Sequence, residues 1–207
     1  MRRLTLFLFF FLSFLVVVNA QEETPNARQA RRIFNTAYER VFGPQGASLH
    51  YNVNIIGIYK TEGTISFKEK KQRFTDERVD VWNDGVTAYM AYRKKRIVEV
   101  HQANSDKKDK YSGRFKFSLD DFDYSVANNP EGLMLTLKQK KKAKGTIKEV
   151  KALVERGSYA PKKLRIKVAF IWTTVLISDF KSGGISDNLF VFPHEKFKEG
   201  WNFVDKR

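Results

Sequence analysis

The chain has 207 residues, with 38 Lys and Arg against 23 Asp and Glu, a formal net charge of +15, and no cysteine. Lacking cysteine, it has no disulfide framework, thiolate metal site, cysteine nucleophile or lipidated N-terminal cysteine. The positive excess calls for an anionic partner, which for a cytoplasmic chain would be nucleic acid.

The N-terminus argues against that compartment. Arg2 and Arg3 precede an apolar run from Leu4 to Val18, interrupted only by Thr5 and Ser13, and Val18-Asn19-Ala20 fits a small-residue cleavage site. At fifteen residues the run is short for a spanning helix. Residues 1–20 are therefore expected to be a cleaved signal peptide, leaving 21–207 as one soluble domain of 187 residues with charge +13. An exported chain meets anionic lipid, lipopolysaccharide or cell-wall polymer, and no nucleic acid.

Thr24-Pro25 marks a helix start, with a hydroxyl cap followed by proline at a position whose N–H is not needed. Ala27, Ala30, Ile33, Phe34, Ala37, Tyr38 and Val41 then recur at threes and fours, one apolar stripe that ends at Gly43-Pro44. Strand-like runs follow. Leu49, Tyr51, Val53 and Ile55 alternate with polar residues, and Gly63 to Phe67 pairs Ile65 with Phe67 on one side. Arg73 to Trp82 reads as one long strand, and Asn83-Asp84-Gly85 is a strong hairpin signal before Val86 to Tyr92 returns. Arg96 to His101 follows, then a polar loop from Asn104 to Gly113.

Phe115 and Phe117 alternate like a strand end, whereas Ser118 with Leu119, Phe122 and Val126 has the cap and spacing of a short helix. Leu133, Leu135 and Leu137 alternate again. Lys138 to Gly145 is a basic hairpin tip, in which Lys140, Lys141 and Lys142 are candidates for docking on an anionic headgroup or acidic partner. Val150, Ala152 and Val154 return on one side. Leu164, Ile166, Val168 and Phe170 then form an apolar row opposite Arg165 and Lys167, and IWTTVLISDF carries the β pattern to Ser182-Gly183-Gly184. A last apolar run spans Leu189 to Phe192.

These runs predict about nine to eleven strands in a curled antiparallel sheet, mainly β with one N-terminal helix. The inward row is bulky: Tyr51, Phe67, Val81, Leu135, Ile166, Val168 and Phe170. Such a sheet either packs itself shut or encloses a cavity covered by the helix, and spacing alone leaves both open. His50, His101 and His194 are scattered, Asp120, Asp121 and Asp123 lack a calcium-loop pattern, and no nucleophile elbow or phosphate loop is present. A non-catalytic protein without cofactor or metal is expected.

The succession LRIKVAFIWTT (Leu164 to Thr174), ISDFKSGG (Ile177 to Gly184), DNLFVFP (Asp187 to Pro193) and the closing Val204-Asp205-Lys206-Arg207 resembles the LolA family, specifically the LolA-like carriers of Bacteroidetes-type bacteria. Upstream, the helix, Asn83-Asp84-Gly85 and Phe117 to Ser125 keep the same order. The resemblance implies an unclosed β-barrel with a helical lid over a hydrophobic cavity. That fold serves a periplasmic chaperone, here a monomer, that takes acylated lipoproteins from an inner-membrane release machine to an outer-membrane acceptor. Phe34, Tyr38, Tyr51, Phe67, Val81, Leu135, Ile166, Val168 and Phe170 would line the cavity. The alternatives are an envelope binder of another lipid or hydrophobic ligand, and a structural barrel with a filled core. One departure stands out. Where many members carry an Arg-Pro pair, this chain reads Phe67-Lys68-Glu69-Lys70-Lys71, so any lid control would fall to another residue such as Lys70 or Arg73.

Overall fold

A computed structural model describes residues 23–55, 59–103 and 118–207. The expected signal peptide and the polar loop with Phe115 and Phe117 lie outside the described residues. Helix α1 (Pro25–Phe42) begins as its sequence dictates: the Thr24 hydroxyl accepts the Ala27 N–H at 3.2 Å, and Pro25 takes the first helical position. At its end the Gly43 N–H returns to the Glu39 carbonyl at 2.7 Å. Among the described residues no helix is long and apolar enough to cross a membrane.

All strands among the described residues belong to one sheet. In chain order they are β1 (Ala47–Ile55), β2 (Tyr59–Lys68), β3 (Lys71–Asp76), β4 (Val79–Asn83), β5 (Thr87–Tyr92) and β6 (Ile97–Gln102). The second run comprises β7 (Phe122–Asn129), β8 (Gly132–Gln139), β9 (Ile147–Val154), β10 (Pro161–Val168), β11 (Ile171–Ser182) and β12 (Asn202–Asp205). The spatial order β12-β6-β5-β4-β3-β2-β1-β11-β10-β9-β8-β7 joins two antiparallel meanders through the β1–β11 pair. In this sheet β12 departs from the pattern, running parallel to β6.

The described residues form twelve strands, more than expected, because the run from Arg73 to Trp82 is two strands and neither β7 nor β12 is among the expected ones. Asp76 makes the break. Its carboxylate accepts the N–H groups of Arg78 at 2.7 Å and Val79 at 2.8 Å, a side-chain-built turn with neither Gly nor Pro. The hairpin at Asn83-Asp84-Gly85 forms as expected: Gly85 has φ 97°, Asn83 accepts its N–H, and Asp84 accepts from Val86 and Thr87. The helix expected over Ser118 to Val126 is replaced by a single 3₁₀ turn, Leu119–Asp121, followed by β7. Ser118 still caps the turn, but eight residues of pairing with β8 outweigh a weak local helical preference. The last apolar run, Leu189 to Phe192, begins in a 3₁₀ turn (Asp187–Phe190) and leads into a covering segment.

Register shows that the sheet curls. Phe34 of α1 meets Tyr124 of β7 at 5.7 Å between ring centroids, and Phe42 meets Phe67 of β2 at 4.7 Å. Eight residues of helix advance about 12 Å, whereas β7 and β2 lie six strand intervals apart, about 29 Å along the sheet. The helix therefore crosses the inside of a trough, held at both ends. The Asn26 amide donates to the Val126 carbonyl at 2.8 Å and accepts its N–H at 3.0 Å, covering part of the β7 edge as a neighbouring strand would. At the other end the Glu69 N–H donates to the Phe42 carbonyl at 3.0 Å, the Ser182 hydroxyl donates to the Arg40 carbonyl at 3.0 Å, and Arg40 donates to the Ser158 carbonyl.

The convex side has its own cover. Phe192 and Phe197, from the segment after β11, pack with Trp82, Ala91 and Val98 as a buried cluster on β4–β6. Asp187 secures that segment by accepting from Lys71 at 2.6 Å and Lys68 at 3.1 Å, and these two lysines hold its carboxyl below the ordinary range.

Candidate functional site: an open apolar trough

Pairing places side chains on the concave face in rows. On β8–β10 the rows are Leu137–Val150–Ile166, Leu135–Ala152–Leu164 and Leu133–Val154. Phe122, Tyr124 and Val126 extend these from β7. Helix residues Ala30 and Ile33 seat on them, and together they form a buried cluster that includes Leu135 at 1% exposure, with Phe34, Leu164, Ile166 and Val168 packed against it. This half of the trough is filled with protein.

The other half is not. Leu49, Ile65, Phe74, Val81 and Met90 are successive register partners across β1–β5, and the last four each keep part of their surface exposed. Beside them Tyr51 pairs with Ile177 and Val53 with Val175, of which Val53, Val175 and Ile177 are also partly exposed. The result is a continuous apolar strip on the same face that the helix covers further along.

Polar groups bound the strip at both ends. The Tyr51 ring is stacked on Phe74 at 5.5 Å and lies over Gly63, its register partner, where an added Cβ would come within 2.8 Å of the Tyr51 hydroxyl. That hydroxyl is buried without a hydrogen-bond partner of ordinary geometry, and burial, then the nearby Asp76 charge, push its pKa up to about 12. Asp76 is itself buried and accepts from the Thr61 hydroxyl at 3.2 Å. At the far end Met90 pairs with Glu99, which binds Lys206 and the ring of His101 at 3.1 Å. Burial raises the Glu99 pKa, but the bonds from Lys206 and His101 outweigh it and hold the carboxyl low.

Of the expected lining residues, the structure brings Tyr51 and Val81 to the open strip and packs Leu135, Ile166 and Val168 in the filled half. Phe34, Tyr38 and Phe42 form an aromatic ladder along the helix, with centroid separations of 6.0 and 4.7 Å, that ends on Phe67. Tyr38 is 46% exposed, so it contributes mainly the outer edge of that ladder. Phe170, expected in the lining, is not part of it. It does not continue the Leu164–Ile166–Val168 row but sits in the β10–β11 turn, 84% exposed. Ala169 adopts φ 53°, Val168 pairs with Ile171, and the alternation ends there. Arg73 is no lid residue either: it lies over the Trp82 ring at 3.9 Å on the convex side and bonds Asp80 at 2.9 Å. Lys141 and Lys142 are exposed at the β8–β9 tip, while the Lys140 ammonium donates to the Asp120 carbonyl at 2.8 Å.

Phe74, Met90, Val175 and Ile177 belong to the open strip without having been singled out in the sequence. Their signal was alternation within each strand, but only register reveals that they adjoin. A surface cleft of about 720 Å³ between His50, Thr64, Asp76 and Arg93 is lined by polar side chains and Gly63, and offers no wall for an apolar ligand. Among the described residues no group of three or more His, Cys, Asp or Glu is placed to hold a metal ion.

No protein-family model and no curated protein matches the sequence. Solved structures match its fold. An uncharacterized conserved protein from Thermus thermophilus aligns over 86% of this chain and 99% of its own, with TM-score 0.59 and 8% identity. A LolA superfamily protein from Nitrosomonas europaea aligns over 80% of this chain and 98% of its own, with TM-score 0.38 and 10% identity. The lipoprotein LppX of Mycobacterium tuberculosis aligns over 77% and 98%, with TM-score 0.41 and 9% identity. At these identities the likeness concerns fold alone. The fold is the expected one: a curled, unclosed sheet with an N-terminal helix across its concave side.

Proposed function

We propose that this chain is a non-catalytic envelope carrier that binds the acyl chains of lipoproteins on the open half of its trough and delivers them to the outer membrane. The observation that supports this reading is the partly exposed row Ile65–Phe74–Val81–Met90, continued by Val53, Val175 and Ile177. An apolar strip facing inward, on the concave side that the helix covers further along, suits a ligand that must be kept from water while the protein's outside stays charged. An acyl chain of about 15 carbons gains at most roughly 12 kcal/mol from such burial, at about 0.8 kcal/mol per CH₂. Tight binding then needs no polar contact, and release is the harder step. Under this reading the chain works in the periplasm as a monomer, after cleavage of residues 1–20, between an inner-membrane release machine and an outer-membrane acceptor.

The test is uptake of a triacylated lipopeptide by the purified protein, read by native mass spectrometry, followed by transfer of lipoprotein from inner-membrane vesicles. A one-to-one adduct and transfer are expected. Absence of both would refute the carrier reading. Uptake of free fatty acid or phospholipid in place of the lipopeptide would instead identify a binder of another lipid.

A further inference from the structure

The trough does not use the most exposed large apolar side chain among the described residues. Phe170 stands 84% exposed at the β10–β11 turn, followed by Ile171 at 41%. Single exposed apolar residues are ordinary; this pair is set apart by its surroundings. Trp172 comes next, on the convex face, and three cations lie over its ring: Arg165 at 4.7 Å, Lys151 at 5.7 Å and Lys167 at 5.8 Å. Register accounts for the cluster, since Lys167 pairs with Trp172 and Arg165 with Lys151.

The turn also adjoins the basic tip of β8–β9. The Ala169 N–H donates to the Thr146 carbonyl at 3.2 Å, which ties the Phe170 turn to the base of the loop that carries Lys140, Lys141, Lys142 and Lys144. Residues 138–151 and 164–172, the strand ends and tip around this turn, contain nine Lys and Arg against one Glu, a net +8 of the chain's +15, whereas Arg156, Lys162 and Lys163 lie at the other end of these hairpins. One end of the molecule thus combines a protruding apolar tip, a tryptophan behind it and a dense basic surround.

We infer that this end docks the protein on an anionic lipid bilayer, with Phe170 and Ile171 entering the interface. Each part has a place there. The tip leaves water, Trp172 sits at headgroup depth, and the lysine and arginine stems reach outward to the phosphates. Each basic residue near an anionic leaflet adds to the attraction, and salt screens it. An acidic protein partner would match the charge but would need a pocket shaped to receive Phe170 and Ile171, whereas a bilayer interface takes them up without one. This inference does not rest on the carrier reading, because Phe170 and Ile171 lie outside the open strip.

Vesicle co-sedimentation of the purified protein tests it, using phosphatidylcholine vesicles with and without phosphatidylglycerol at low and high salt. The wild type is expected to pellet with the anionic vesicles at low salt and to be released by salt. Phe170→Ser with Ile171→Ser, with folding checked by circular dichroism, should weaken binding about tenfold. Lys141→Glu with Lys142→Glu and Lys144→Glu should abolish the salt-sensitive part. Trp172 emission should shift to the blue on binding, a change missing from Trp172→Phe. Failure of the wild type to pellet, equal binding to neutral vesicles, or full binding by the Phe170/Ile171 variant would each overturn the proposal. The last outcome would leave an acidic protein or polymer as the partner of the basic face.

Discussion

The two halves of the sheet use one alternating pattern for different ends. On β7–β10 the concave rows meet Ala30, Ile33 and Phe34 of the helix and become core. On β1–β5 the same kind of row, Ile65–Phe74–Val81–Met90, meets no such cover among the described residues and stays partly exposed. Burial in the open half lies instead on the reverse side, where the C-terminal segment packs Phe192 and Phe197 on Trp82 and Ala91. The contrast teaches that the open strip is not simply an unstable surface. Its strands are anchored from behind, so their inner face is free to bind something else.

Substitutions at matched positions can break that contrast. The largest effect belongs to the filled half: Leu135→Ala should cost about 3 kcal/mol of stability, because a 1%-exposed side chain leaves a cavity that the helix cannot collapse into. Chemical denaturation reads this directly, and a cost below about 1 kcal/mol would mean that this half is not tightly packed.

Next comes the brace behind the open half. Asp80 accepts from Arg73 at 2.9 Å, Thr75 at 2.6 Å and Arg93 at 2.9 Å. Burial raises its pKa, but the bonds from Thr75, Arg73 and Arg93 prevail and hold it below the ordinary value. A depressed folded-state pKa adds stability above the unfolded value, about 3.9, and loses it as pH falls through the folded value. Asp80→Asn should therefore cost about 2 kcal/mol at neutral pH, with the gap to wild type closing as pH drops below about 4. A pH-independent gap in melting temperature would contradict the assignment.

In the open strip itself the balance should invert. Met90→Gln, similar in shape at a partly exposed site, should change stability by less than about 1 kcal/mol yet weaken acyl-chain binding about tenfold. Calorimetric titration with a fatty acid, alongside denaturation, separates the two effects. The smallest effect lies at the β7 edge: Asn26→Ala removes both bonds to Val126 and should cost about 1 kcal/mol. Faster amide exchange at Val126 would show the loss locally.

Much of this architecture was legible in residue order. Thr24-Pro25 fixed the helix start, period-two runs located most strands, and Asn83-Asp84-Gly85 marked its hairpin. The misreadings share a cause, which is turn chemistry without the usual punctuation. Asp76 reverses the chain through side-chain bonds, and Ala169 turns it with a positive φ that its residue type does not advertise. Phe122, Tyr124 and Val126 fit two periods at once, and only pairing with β8 decided between them. The candidate site was legible in part for the same reason. Tyr51 and Val81 announce themselves as inward residues, but that Phe74 lies between Ile65 and Val81 depends on register, which no single strand encodes.

The central claim is that the open half, not the filled half or the outer surface, holds an acyl chain. Photo-crosslinking with a diazirine-bearing fatty acid, mapped by peptide mass spectrometry, tests this most directly. Labels should concentrate on Ile65, Phe74, Val81 and Met90, and fall when Met90→Gln is introduced. Labels confined to the Phe170 tip or the convex face, or no specific labelling at all, would contradict the account.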